Sequence, residues 1–313
     1  MQVRSVPNAA LPLWAALIAG PVMHRVTRFC VRWAIGWPHS RIMPPVTYAQ
    51  LRENGWTREA IRNALARGSL RRLAHGWYDV GGCTADELSA AAAGGRLGCL
   101  TGLRDHGVWV PPTTHPHIIT PRWADPAGPG IHHPLTRGAP WSPGAMTYNV
   151  VECLRQVLQH HDVETALIVL ESACNLRLVS EETVAQLVAG CPDQQARQLS
   201  RFDPRSESGS ETRVRLFLVR RGYRVRPQAI IPGVGRVDLL IGESLIIECD
   251  SHAHHTGETS YRGDRRRDLS ATADGYRVVR LTWEQCFLSW PTTTTLLLSH
   301  LRTRRYRRPP SRS

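Results

Sequence analysis

The chain has 313 residues, a formal net charge of +13 and a 42% hydrophobic share, and it contains no lysine, so all 39 basic side chains are arginines. That length admits two or three domains with sizeable cores. The longest apolar run, residues 11–22, is interrupted by Pro12, Gly20 and Pro21, well short of the ~20 residues of a membrane helix.

The charge is unevenly placed. Five arginines fall in residues 1–42 and six in residues 302–313, with no acid in either segment, which leaves only +2 for residues 43–301. The basicity therefore belongs mainly to the ends of the chain, where it suits phosphate contacts or solvated disorder. Cysteines at 30, 83, 99, 153, 174, 191, 249 and 286 form no CxxC pair, which argues against a zinc ribbon. The scatter suits a cytoplasmic protein without disulfides.

Residues 1–42 show no clean period, and tryptophans and prolines interrupt them. They are expected to be a disordered extension, or an over-called start ahead of a true start at Met43.

Residues 43–82 read as helix, turn, helix, hairpin. Val46, Tyr48, Leu51 and Trp56 give the apolar face of a short helix that breaks at Gly55. Thr57 is a good N-cap for a second helix, about Arg58 to Arg67, with Ile61 and Leu65 facing the core and Gly68 stopping it. Ser69 to Val80 reads as two short strands around His75-Gly76. This is the order of a winged helix-turn-helix. Arg58, Arg62, Asn63 and Arg67 avoid the core face of the second helix, where they can reach bases or phosphates, so DNA is the expected partner. The stretch from Thr47 to Val80, with its rhythm Arg67-Gly68-Ser69-Leu70 through Gly76-Trp77-Tyr78, resembles the N-terminal winged-helix domain of AbiEi-type abortive-infection antitoxins. The resemblance implies DNA binding, often with autoregulation, and a possible toxin-type protein partner.

Residues 83–200 are expected to be a mainly helical connecting domain. Asp86 to Ala93, Arg96 to His106 and most of Asn149 to Cys191 look helical, while residues 107–145 are loops with short strands such as His117–Thr120. His115, His117, His132, His133, His160 and His161 are read as loop histidines rather than a metal cluster, because no carboxylate or cysteine follows them at ligand spacing.

Residues 201–301 carry the clearest chemistry. Glu211 shares the inward face of a helix with Val214 and Leu218, a costly place for a carboxylate unless it is paired or binds a metal. Strands follow at about 223–231, 236–241 and 245–250. Asp238 sits inside Val-Asp-Leu-Leu-Ile, and Glu248 and Asp250 project from one face of the next strand. Carboxylates so grouped repel unless a cation sits among them, and hard divalent ions prefer such oxygens. His252, His254 and His255 offer proton transfer. A helix from Tyr261 to Ala273, a strand from Tyr276 to Leu281 and a closing helix from Trp283 to Trp290 complete the order.

This pattern, E…(V)D…ExD…H…R…GYxVxR, resembles the PD-(D/E)xK nuclease superfamily, and more closely the very-short-patch-repair (Vsr-like) endonuclease domains. By motif, Glu211 matches the helix acid, Asp238 the central metal aspartate, Glu248 and Asp250 the ExD pair, His254 the following histidine and Arg267 the arginine of the D-x-x-R helix. The resemblance implies Mg²⁺ (or Mn²⁺) held by Asp238, Glu248 and Asp250. The superfamily's usual lysine would fall at Asp250. Either Asp250 is a further ligand with His254 activating water, or the domain is catalytically degraded.

The expected fold class is thus α+β and multidomain: a winged helix-turn-helix, a helical middle region, an α/β restriction-endonuclease-like domain with a mixed sheet over 201–301, and an arginine-rich tail over 302–313. The expected function is DNA-binding, metal-dependent phosphodiester hydrolysis, without a membrane and as a possible homodimer. The alternative is an antitoxin or transcriptional regulator with an inactive nuclease fold.

Overall fold

The computed structural model describes residues 44–125, 128–141, 144–250 and 269–310, with the side chain of Asp250 left out. It is a mixed α+β protein that divides into two compact units. Among the described residues, one comprises 44–94 with 144–146; the other comprises those from 95 to 141 and from 147 on.

In the first unit the order is β1 (Val46–Thr47), α1 (Tyr48–Glu53), α2 (Arg58–Ala66), β2 (Arg71–Ala74), β3 (Trp77–Asp79) and α3 (Ala85–Ala92). Val46 belongs to a strand rather than to the first helix, because Val46 and Thr47 pair with Tyr78 and Trp77. Thr47 then starts α1 with a capping box: its hydroxyl accepts from the Gln50 amide at 3.1 Å, and Gln50 Oε1 accepts from the Thr47 amide at 2.8 Å. The Thr57 hydroxyl caps α2 by accepting from the Ala60 amide at 3.0 Å. The strands form an antiparallel sheet in the order β1-β3-β2. Leu51, Ile61, Ala64, Leu70 and Tyr78 make the core. Leu65 packs against this core half-buried, with Ala64 the deeper of the two.

The second unit opens with β4 (Arg96–Leu97) and α4 (Cys99–Asp105), followed by β5 (His117–Thr120) and β6 (Ile131–Pro134). The helix expected from Arg96 therefore starts only at Cys99. Arg96 and Leu97 are drawn into pairing with Ile119 and Ile118. Gly98 makes the crossing possible, since a Cβ there would lie 2.2 Å from Ile119 Cδ1.

Four helices follow: α5 (Val150–His160), α6 (Val163–Asn175), α7 (Glu181–Ala189) and α8 (Asp193–Leu199). Next come α9 (Gly209–Val219), β7 (Val225–Ile231), β8 (Gly235–Ile241), β9 (Leu245–Asp250) and β10 (Arg277–Thr282). These strands make a mixed sheet in the order β10-β9-β8-β7, antiparallel except for the β9–β10 pair. One face packs on α9 through Val214, Phe217, Leu218, Leu239 and Ile247. The other carries Ile231, Leu240, Ile246 and Ala271. The closing helix expected over 283–290 is two helices, α10 (Trp283–Phe287) and α11 (Trp290–Arg302), the second with proline in its first turn. Beyond it a 3₁₀ turn buries Tyr306, whose carbonyl accepts from the Glu243 amide at 2.7 Å. No helix among the described residues is long and apolar enough to cross a membrane.

The core that holds Leu103, Leu154, Leu167 and Leu170 continues to Leu216 of α9. A buried charge network ties the same elements. Glu171 of α6 pairs with Arg215 of α9, and accepts from Thr212 Oγ1 at 2.6 Å and the Asp203 amide at 2.9 Å. Arg215 also donates to the Arg201 carbonyl at 2.9 Å. Burial pushes the Glu171 carboxyl above its usual range, while Arg215 and Thr212 pull it back. Removing one partner leaves an uncompensated buried charge. Arg215→Ala is therefore expected to lower the unfolding free energy by about 3–5 kcal/mol in urea titration, whereas loss of an ordinary surface pair costs under about 1 kcal/mol.

Candidate functional site

Glu211 lies in the first turn of α9. Ser208 caps that helix by accepting from the Glu211 amide at 3.2 Å. Gly209 is needed because Trp109 packs against it, and a Cβ there would lie 2.2 Å from the indole. The Glu211 side chain is only 4% exposed. Its Oε2 accepts from the Glu207 amide at 3.0 Å and from Gln228 Nε2 at 2.8 Å. Gln228 has φ of +51°, an uncommon value for a residue other than glycine and one that marks local strain.

Asp238 stands where β8 and β9 part. The ladder between them runs from Ile241–Leu245 to Leu239–Ile247, and the next position would set Asp238 against Glu248. There the backbone pairing gives way to the side chain: Asp238 Oδ2 accepts from the Cys249 amide at 2.8 Å. Side-chain alternation also slips here. Val237 and Leu239, two residues apart, belong to cores on opposite faces of the sheet. Beyond the split, β9 stays paired with β10, Glu248 beside Arg280 and Asp250 beside Thr282.

The Asp238 and Glu248 carboxyls are within hydrogen-bonding reach of each other. Burial raises the Asp238 carboxyl above its usual range, against the Cys249 amide and Glu248, and Glu207 adds a like charge nearby. Burial, with Asp238 second, pushes Glu211 up to about 7. Arg236 is held by Glu207. Glu211 and Asp238 are thus buried oxygen donors reluctant to ionise, with the Glu248 carboxylate beside Asp238. That donor chemistry fits a hard divalent cation such as Mg²⁺ or Mn²⁺.

Of the residues singled out in the sequence, Asp238 neighbours both Glu248 and Glu211, but among the described residues the three carboxylates do not gather into one compact ligand group. Asp250 lies two residues further along β9, and its side chain is not described. His254 and Arg267 lie outside the described residues. Arg58, Arg62, Asn63 and Arg67 are all exposed on or beside α2, with Ile61 and Ala64 turned into the core.

A second group was not anticipated. The ligand atoms of Cys99, His117, His133 and His161 all lie within 4.8 Å of one another. These are not loop histidines in the main: His117 and His133 are buried strand residues. Burial pushes His117 down to about 4 and His133 down to about 3, and the Cys99 thiol up to about 12. Local spacing gave no sign of this group, because Cys99 and His161 are 62 residues apart.

No protein-family model matches the sequence, and no curated protein is significantly similar to it.

The position of Glu211 sets a stability profile. Its folded carboxyl titrates at about 7, above the ordinary 4.5, so the folded state retains a proton that the unfolded state has lost between these values. The contribution is present below pH 4.5 and is lost as pH rises through about 7. In metal-free buffer, Glu211→Gln is expected to gain stability relative to the parent as pH rises through that window, read by urea midpoints. An unchanged difference across the window would contradict this placement.

Proposed function

We propose that this protein is a metal-dependent endonuclease-type phosphodiesterase that engages DNA through the α2 face of its first unit. The observation that carries the reading is the buried Asp238 where β8 and β9 separate, hydrogen-bonded to Glu248 and close enough to raise the Glu211 carboxyl. A surface that only bound phosphate would gain nothing from clustered carboxylates.

Asp238 and Glu248 would hold the cation, with Asp250 as a further ligand. Bound there, Mg²⁺ or Mn²⁺ would activate water and stabilise charge on the phosphate oxygens. The Cys249 amide orients Asp238, and Gln228 and the Glu207 amide orient Glu211, so neither carboxyl is free to swing away. In this reading His254 moves the proton of the attacking water and Arg267 contacts phosphate. The four side chains Arg58, Arg62, Asn63 and Arg67 present guanidinium and carboxamide donors suited to guanine, adenine and phosphate.

One observation favours a second reading, an antitoxin or transcriptional regulator with an inactive nuclease fold. With no lysine anywhere in the chain, the usual catalytic lysine has no substitute of its own kind. Such a regulator would bind DNA, or a toxin-type partner, without turnover.

The full chain incubated with supercoiled, mismatched and single-stranded DNA separates the two. The nuclease reading expects cleavage that needs Mg²⁺ or Mn²⁺, stops with EDTA and falls at least about 100-fold in Asp238→Asn. Binding without cleavage of every substrate would leave the regulator. DNA binding itself is tested on α2: Arg62→Ala is expected to weaken affinity and to reduce the slope of log K against log salt by about 1. An unchanged slope would remove Arg62 from the interface.

A further inference from the structure

We infer that Cys99, His117, His133 and His161 form a zinc site that pins the sheet β4–β5–β6 to the helices α4 and α5. The site uses different residues and different donor chemistry from the carboxylates of the proposed nuclease centre, and it stands whether or not that centre is active.

Four separate pieces of backbone deliver the ligands. In the parallel pair β5–β6, Ile119 is opposite His133 and Ile131 is opposite His117, so the two histidines sit diagonally on one face. His117 Nδ1 and His133 Nε2 are 2.9 Å apart. The His117 backbone is fixed in turn by its amide, which donates to Thr101 Oγ1 at 2.8 Å. Cys99 is the first residue of α4, and it takes a left-handed conformation, φ +48°. Cysteine rarely adopts that conformation, and such strain gathers where a side chain must be aimed. It brings Cys99 Sγ to 3.1 Å from His161 Nε2. His161 is the residue after α5, its backbone extended and its amide donating to the Val157 carbonyl at 2.9 Å. His160 stacks on the His133 ring at 4.5 Å between centroids and closes one side.

The dimensions suit a small tetrahedral cation. Zinc–nitrogen bonds of ~2.0–2.1 Å and a zinc–sulfur bond of ~2.3 Å place neighbouring ligand atoms roughly 3.3–3.6 Å apart. The four ligand atoms here, all within 4.8 Å of one another, need only small side-chain shifts to reach that spacing. The donor set selects the metal class. One thiolate and three imidazoles match borderline-soft zinc and not the hard, oxygen-preferring Mg²⁺ or Ca²⁺. Four protein ligands also complete the zinc sphere, leaving no position for a substrate water, so the site is structural. The ordinary alternative is a packed group of neutral histidines bonded to one another and to a thiol. That arrangement uses the Cys99 thiol for a single contact with His161, a small return for a left-handed cysteine backbone.

The test uses the full chain expressed in zinc-supplemented medium and dialysed against metal-free buffer. Elemental analysis is expected to find about one equivalent of zinc per chain, retained in Asp238→Asn and lost in Cys99→Ser. Chelation is expected to lower the melting temperature, because zinc binds the folded state alone. After stripping and reloading with Co²⁺, the parent chain should show tetrahedral ligand-field bands and a thiolate-to-cobalt charge-transfer band. The charge-transfer band excludes the all-oxygen site even where Cys99→Ser fails to fold, and its loss in His161→Ala would assign it to this group rather than to another cysteine. A folded parent chain without zinc, and without the charge-transfer band after cobalt loading, would overturn the inference. So would zinc that is lost in Asp238→Asn and kept in Cys99→Ser.

Discussion

The larger unit depends on how α9 is held, and α9 is held by a buried ion pair. An unpaired charge in a protein interior is prohibitively costly. Glu171 and Arg215 are each almost fully buried, so each requires the other, and their remaining polar atoms are taken by Thr212, Asp203, Ser206 and Arg201. Such a pair gives little net stability over an apolar pair of the same volume. Its effect here is on register. Arg215 can meet Glu171 only if α9 lies on α6 in one rotation and at one height. Glu211 is one turn earlier on α9, so the contact that fixes the helix also fixes the first acid of the candidate site.

The contrast between Glu171 and Glu211 is instructive. Both are buried helix glutamates. Glu171 is answered by a guanidinium. Glu211 is answered by neutral donors, the Glu207 amide and the Gln228 carboxamide, and faces the like charge of Asp238. Burial of both raises their carboxyls, but only at Glu211 is a further cation needed to make ionisation comfortable. The fold thus uses one buried carboxylate for its own architecture and leaves Glu211 facing Asp238 without a cationic partner of the kind Glu171 has.

What the sequence made legible follows from locality. The Thr57 cap, the His75-Gly76 turn and the strands holding Asp238 and Glu248 are written in neighbouring residues. The failures are non-local. Arg96 and Leu97 have a helical context, yet pairing with Ile119 and Ile118 makes them a strand. Val46 has the spacing of a helix residue, yet β3 recruits it. The Cys99, His117, His133 and His161 group has no spacing signature because four elements contribute one ligand each. Glu171 left a trace: a lone acid in the apolar run from Ala166 to Ala173 of a helix buried nearly all round. A charge in that position needs a partner, and Arg215, itself amid the apolar residues of α9, was the available one.

The most direct test of the central claim is a crystal of the full chain soaked in Mn²⁺ and recorded at a wavelength where manganese scatters anomalously. The account expects an anomalous peak between the Asp238 and Glu248 carboxylates, on the side where β8 and β9 part. A well-ordered Asp238–Glu248 pair without such a peak would contradict the assignment of this split as a divalent-cation site.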